Sequence, residues 1–178
     1  MARINYYIQT VFQQLLFYLG DYGLARAITR TFTVLLPLGG IAGIPFVGFL
    51  LDHRTTFEAS VVVLVCGVVY GALGLVPHVA AQTISIAIFV FLRPLMYTFV
   101  GDYCGKVFGF ATFGTVYGLA NSVAGVFGLI LRPVDVLVKN EWQGDYVGID
   151  VIGAGLGLMA SGLLTWKIWQ GTRRVRLE

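Results

Sequence analysis

Charge is what this chain has least of. Only 12% of its 178 residues are charged, against about 25% in soluble domains, and the mean hydropathy is +0.82. That deficit excludes an ordinary soluble domain and implies a single helical bundle in a membrane. Cysteine and histidine are equally scarce. Cys66 lies inside an apolar run and Cys104 in what reads as a short connection, so they make no disulfide framework. With His53 and His78 far apart in sequence they show no metal-ligand spacing. No nucleophile–base pair stands out, which argues against an enzyme, and nothing in the sequence asks for a cofactor. The net charge of +3 comes from basic residues at the ends of apolar runs, which is no footprint for nucleic acid. Met1-Ala2-Arg3 leads straight into a polar-studded apolar helix without the small-residue cleavage site of a signal peptide.

What is present is a series of long apolar runs holding glycine and proline, the pattern of membrane helices rather than of barrel strands, which alternate with period two. Six spans are expected, at 3–20, 31–51, 57–76, 81–101, 107–131 and 147–169, with the longest loop over 133–146. One side of the membrane then carries both termini with Arg3, Arg54, Lys106, Lys167, Arg173, Arg174 and Arg176, and the other carries Arg26, Arg30, Arg132 and Lys139. The larger basic group places both termini on the cytoplasmic or equivalent side. Leu19-Gly20-Asp21-Tyr22 at the end of the first span echoes Val100-Gly101-Asp102-Tyr103 at the end of the fourth. Two units of three helices must enter from opposite faces, so the echo predicts a 3+3 inverted repeat.

The fourth span holds the residue of most interest. Arg93, followed by Pro94, lies near its middle, where a guanidinium costs about 3 kcal/mol or more in hydrocarbon. It must face protein, water or a ligand anion. Tyr97, four residues on, shares its helix face. Arg93 can therefore anchor a solute carboxylate bidentately, with Tyr97 shaping the pocket. It can equally snorkel, or pair with an acid such as Asp102 and stabilise the bundle. In the fifth span Gly114, Gly118, Asn121, Gly125 and Gly128 form one seam of small residues, suited to close helix packing, with Asn121 free to bond across it or to touch solute. Gly39/Gly43 and Gly67/Gly71 read as packing too. The first span carries Asn5, Tyr6, Gln9 and Gln13 on one broad flank, implying a hydrated cavity, interhelical hydrogen bonds, or a segment lying along the membrane surface. No acid lies mid-membrane, which argues for facilitated rather than proton-driven movement.

Gly48-Phe49-Leu50-Leu51-Asp52-His53-Arg54 resembles the Gly-x-x-x-Asp-Arg loop motif of the major facilitator superfamily, with His53 where a basic residue usually follows the acid and the later Gly-Arg-Arg part absent. There the glycine permits close helix contact, and the acid and base latch neighbouring helices; the resemblance gives those roles to Gly48, Asp52 and Arg54. The order of features resembles the C-terminal six helices of such a transporter. Asn5-Tyr6-Tyr7-Ile8, Ile44-Pro45-Phe46-Val47-Gly48, the Phe108–Gly114 run and Tyr117-Gly118 look like the large neutral amino-acid facilitators and their fungal relatives. The resemblance implies half of a major facilitator fold moving a small carboxylate-bearing solute, with Tyr6, Gln9, Gln13, Arg93 and Tyr97 on the cavity wall and Asn121 close by. Only one half is in hand. A fragment, a half-transporter that dimerises and a non-transporting scaffold or accessory subunit of a larger membrane complex are each consistent with that, and each needs a partner bundle or complex besides the lipid bilayer.

Overall fold

A computed structural model describes residues 1–140 and 146–175, all the regular structure in it being α-helix. Helix α1 runs from Ala2 to Leu19 and stops because Gly20 turns left-handed (φ 65°), its N–H reaching the Leu16 carbonyl at 3.0 Å. Asp21 at once caps the next helix, its carboxylate accepting from Gly23 N (2.7 Å) and Leu24 N (3.1 Å). Helix α2 therefore begins at Tyr22, well before the expected 31, and continues to His53 through Pro37 and Pro45. Its 32 residues make about 48 Å of helix at 1.5 Å each.

Thr55 and Glu58 form a reciprocal capping box that opens α3, Thr56–Gly74. Thr55→Ala removes one of these bonds and is expected to cost about 1 kcal/mol, read as a lower melting temperature in detergent. Helix α4, Val79–Phe108, passes straight through Gly101-Asp102-Tyr103. Asp102 there forms an i,i+4 pair with Lys106 at 2.7 Å, and the helix ends only at Gly109 (φ 72°). The echoed tripeptides are thus not equivalent: one breaks the chain and the other lies inside a helix. Helix α5, Phe110–Asn140, likewise runs through Pro133, where a loop was expected; positions 141–145 of that loop lie outside the described residues, as does the placement of Arg176. Helix α6 spans Val147–Val175.

Five of these helices, α2 to α6, are long and apolar enough to cross a membrane, so the chain is an all-α, multi-pass membrane protein. The more polar α1 packs against α2, α4 and α5. Two of its polar residues are answered within the helix: Gln14 Nε2 donates to Thr10 Oγ1 (3.0 Å) and Thr10 Oγ1 to the Tyr6 carbonyl (2.9 Å), all buried. Its apolar face is also in the core, where Tyr7 sits with ring centroids 4.9 to 6.0 Å from Phe89, Tyr70 and Phe32. A second cluster, Val47, Leu51, Val63, Leu95 and Phe99, joins α2, α3 and α4.

Glycines decide which helices come close. A Cβ on Gly39 would stand 1.7 Å from Val90 Cγ1, and one on Gly43 3.3 Å from Pro94 Cγ, so α2 and α4 meet backbone to side chain. The α5 seam does not behave this way. Gly114, Gly118, Gly125 and Gly128 have nothing within 4 Å of a built Cβ, so the close packing expected there is absent among the described residues. No residue in the most apolar stretch of α5 or of α6 is buried.

Candidate functional site

Gly40 and Leu36 on α2 face Arg93, Pro94 and Tyr97 on α4 across a cavity of about 260 Å³. Arg93 is half-buried, and its Nε is buried with no hydrogen-bond partner among the described residues. Asp102, the acid weighed as its partner, is taken by Lys106, and no described carboxylate pairs with the guanidinium. Such a group favours an anion that can occupy its donors. Tyr97 Oη donates to Asn5 Oδ1 at 3.2 Å, tying α4 to α1.

Arg93 and Tyr97 are therefore brought together as the sequence suggests. The other expected wall residues are not on this cavity. Tyr6 is buried, Gln13 half-buried and Gln9 exposed. Asn121 donates to its own helix, at the Tyr117 carbonyl (2.9 Å), rather than across the seam.

Tyr97 also lines a larger, open cavity of about 660 Å³ between α2, α4 and α5, together with Gly48, Asp52, Asp102, Lys106, Phe113 and Tyr117 among others. Gly48 makes no close helix contact there, a built Cβ meeting nothing within 4 Å. Asp52 is exposed and has no ion-pair partner among the described residues. Arg54 only caps α2 through its backbone, N–H to the Leu50 carbonyl at 3.2 Å. The latch expected of Gly48, Asp52 and Arg54 is not formed within the described residues.

A second polar cluster escaped the sequence reading. The Arg3 guanidinium carbon lies 5.0 Å from the Tyr70 ring centroid, a cation–π contact. Its alkyl stem runs beside Gly153 at 3.6 Å from a built Cβ, so Arg3 lies among α1, α3 and α6. Asp150, only 9% exposed, accepts from Tyr18 Oη at 3.0 Å and joins α1 to the first turn of α6. Both charges stand near the ends of apolar runs, where they read as solvated; the one available signal was an acid four residues into the sixth span. Tyr18→Phe leaves that buried carboxylate without this donor, an expected loss of about 2 kcal/mol. Asp150→Asn keeps an acceptor and should cost less, both measured by thermal unfolding in detergent.

No family model matches the chain, and no solved structure matches it. It is 45% identical over 136 residues to Protein FMP42 of Saccharomyces cerevisiae, an alignment that covers 76% of this chain and 27% of that protein. The chain thus spans about a quarter of the length of the curated relative it matches. This likeness does not indicate half of a major facilitator transporter, and it replaces the resemblance read from the loop motif and the glycine–proline pattern. Those features mislead for a physical reason: close helix approach and polar helix ends call for the same residues in any bundle that lives in a bilayer.

Proposed function

We propose that this bundle is part of a secondary transporter that moves a small carboxylate-bearing solute, an amino acid being the first to try, across a membrane by alternating access. Arg93 holds the carboxylate and Tyr97 shapes the pocket. The observation that carries the reading is a guanidinium beside a cavity of about 260 Å³ with its Nε unpartnered. An arginine retained only to brace the bundle would be expected to have found a carboxylate.

The pattern of helix contacts supports a 3+3 arrangement. Exchanging α1, α2, α3 for α4, α5, α6 turns the α1–α2 contact into α4–α5 and the α1–α5 contact into α2–α4, all four of which occur. The α2–α3 contact has no such counterpart among the described residues, and the close α3–α4 contact is answered only by the side-chain contacts of Arg3 and Tyr18 with α6. The basic residues at the helix ends favour both termini on the cytoplasmic or equivalent side. Alternating access needs a second bundle across the site, from the rest of a longer polypeptide or from a second copy.

The test is uptake of labelled amino acids and other small carboxylates into vesicles containing the protein. Uptake by the parent and its loss in Arg93→Gln, at equal insertion, is expected; undiminished uptake by that variant removes Arg93 from the role. The second reading, a non-transporting scaffold of a larger membrane complex, is favoured by the uncovered apolar stretches of α5 and α6. It predicts no uptake for any solute and co-purification with a large assembly.

A further inference from the structure

We infer that the cavity between α2, α4 and α5 is a second binding site, one that takes an organic ammonium group. Its volume of about 660 Å³ lies within the ~300–1,000 Å³ of small-molecule sites, and its wall is mostly apolar with a few polar groups, as such sites are. The charges on that wall do not cancel. Lys106 is engaged by Asp102 at 2.7 Å, which leaves the Asp52 carboxylate as the uncompensated group. Its basic chain neighbours do not neutralise it: His53 is stacked on Phe49 with Nδ1 at the Phe49 carbonyl, and Arg54 is not on the cavity wall.

On α5, Phe113 and Tyr117, also on this wall, are stacked at 5.4 Å with their planes 8° apart. An aromatic wall with a free carboxylate is the surface an alkyl- or arylammonium ion binds, through its charge and through the ring faces. An anion finds only a cation already in use. Tyr97 belongs to the walls of both cavities. The ammonium site does not rest on the transport reading.

The experiment uses the whole chain in a non-ionic maltoside detergent, with 2-phenylethylammonium and 3-phenylpropanoate as probes, followed by calorimetric titration. The ammonium probe is expected to bind the parent, to bind Asp52→Asn at least tenfold more weakly, Tyr117→Leu several-fold more weakly, and Arg93→Gln unchanged. Asp52 is exposed at a helix end, and equal melting temperatures check that its variant is folded. No binding of the ammonium probe, or binding indifferent to Asp52→Asn, overturns the inference. The carboxylate probe tests Arg93 separately: binding equal in parent and Arg93→Gln overturns the anion anchor and leaves the ammonium site standing.

Discussion

Solute uptake is expected to fall by about 100-fold or more in Arg93→Ala, because a charge-assisted, desolvated contact is worth roughly 3–5 kcal/mol when one partner is removed. Stability should move the other way or not at all. The guanidinium is half-buried with an unpartnered Nε, so its removal relieves a desolvation cost rather than breaking a bond. Melting in detergent therefore separates the two roles: a brace lost lowers the melting temperature, and a ligand anchor lost leaves it level or raised. Arg93→Lys keeps a charge but not the planar fork. It should retain partial uptake with a raised half-saturation concentration. Full activity in the lysine variant would show that a point charge suffices and that bidentate capture is not used.

Gly39→Ala should be the most damaging small substitution in the bundle. The added carbon would lie 1.7 Å from Val90 Cγ1 on α4, far inside contact distance, and neither helix can yield without disturbing the α2–α4 seam. Overpacking of this kind costs about 1–3 kcal/mol and sometimes more. Gly40→Ala one residue on meets open space and should cost much less. The neighbour is identified by rescue. With Val90→Ala the nearest remaining side-chain atom is Val90 Cβ at 3.2 Å, so Gly39→Ala/Val90→Ala should recover most of the stability lost by Gly39→Ala alone. Failure to recover would mean that the helices are held apart by something other than that valine.

How far these features were legible depends on the range of the interaction behind them. The starts of α3 and α6 fall within a residue of those expected, since a capping Thr55 and the edge of an apolar run are local signals. Helix α4 ends at Phe108, seven residues past the expected 101, because Gly-Asp-Tyr does not stop it. The same three residues break the chain after α1, where Gly20 is left-handed and Asp21 caps, and are carried through in α4, where Asp102 has Lys106 one turn on. Pro133 looks like a terminus in the sequence for a similar reason, yet a proline removes only one donor, and the helix continues past it.

Arg93 and Tyr97 stood out because they are four residues apart on one helix, and helical periodicity is enough to place them together. Arg3, Tyr70 and Asp150 come from three helices, and no spacing along the chain foretells that α1 lies against both α3 and α6 at those points. The glycines make the same contrast. Gly39/Gly43 and Gly114/Gly118 look alike as spacings, but the first pair is filled by Val90 and Pro94 and the second faces nothing.

From composition and periodicity alone, then, this protein was bound to be a set of bilayer-length helices with one guanidinium in their midst, since hydropathy and helix geometry act over a turn or two of chain. Which glycines are pressed, which acid answers which base, and that Arg93 is left over were decided by packing. Those depend on distances between segments scores of residues apart, which no local pattern encodes.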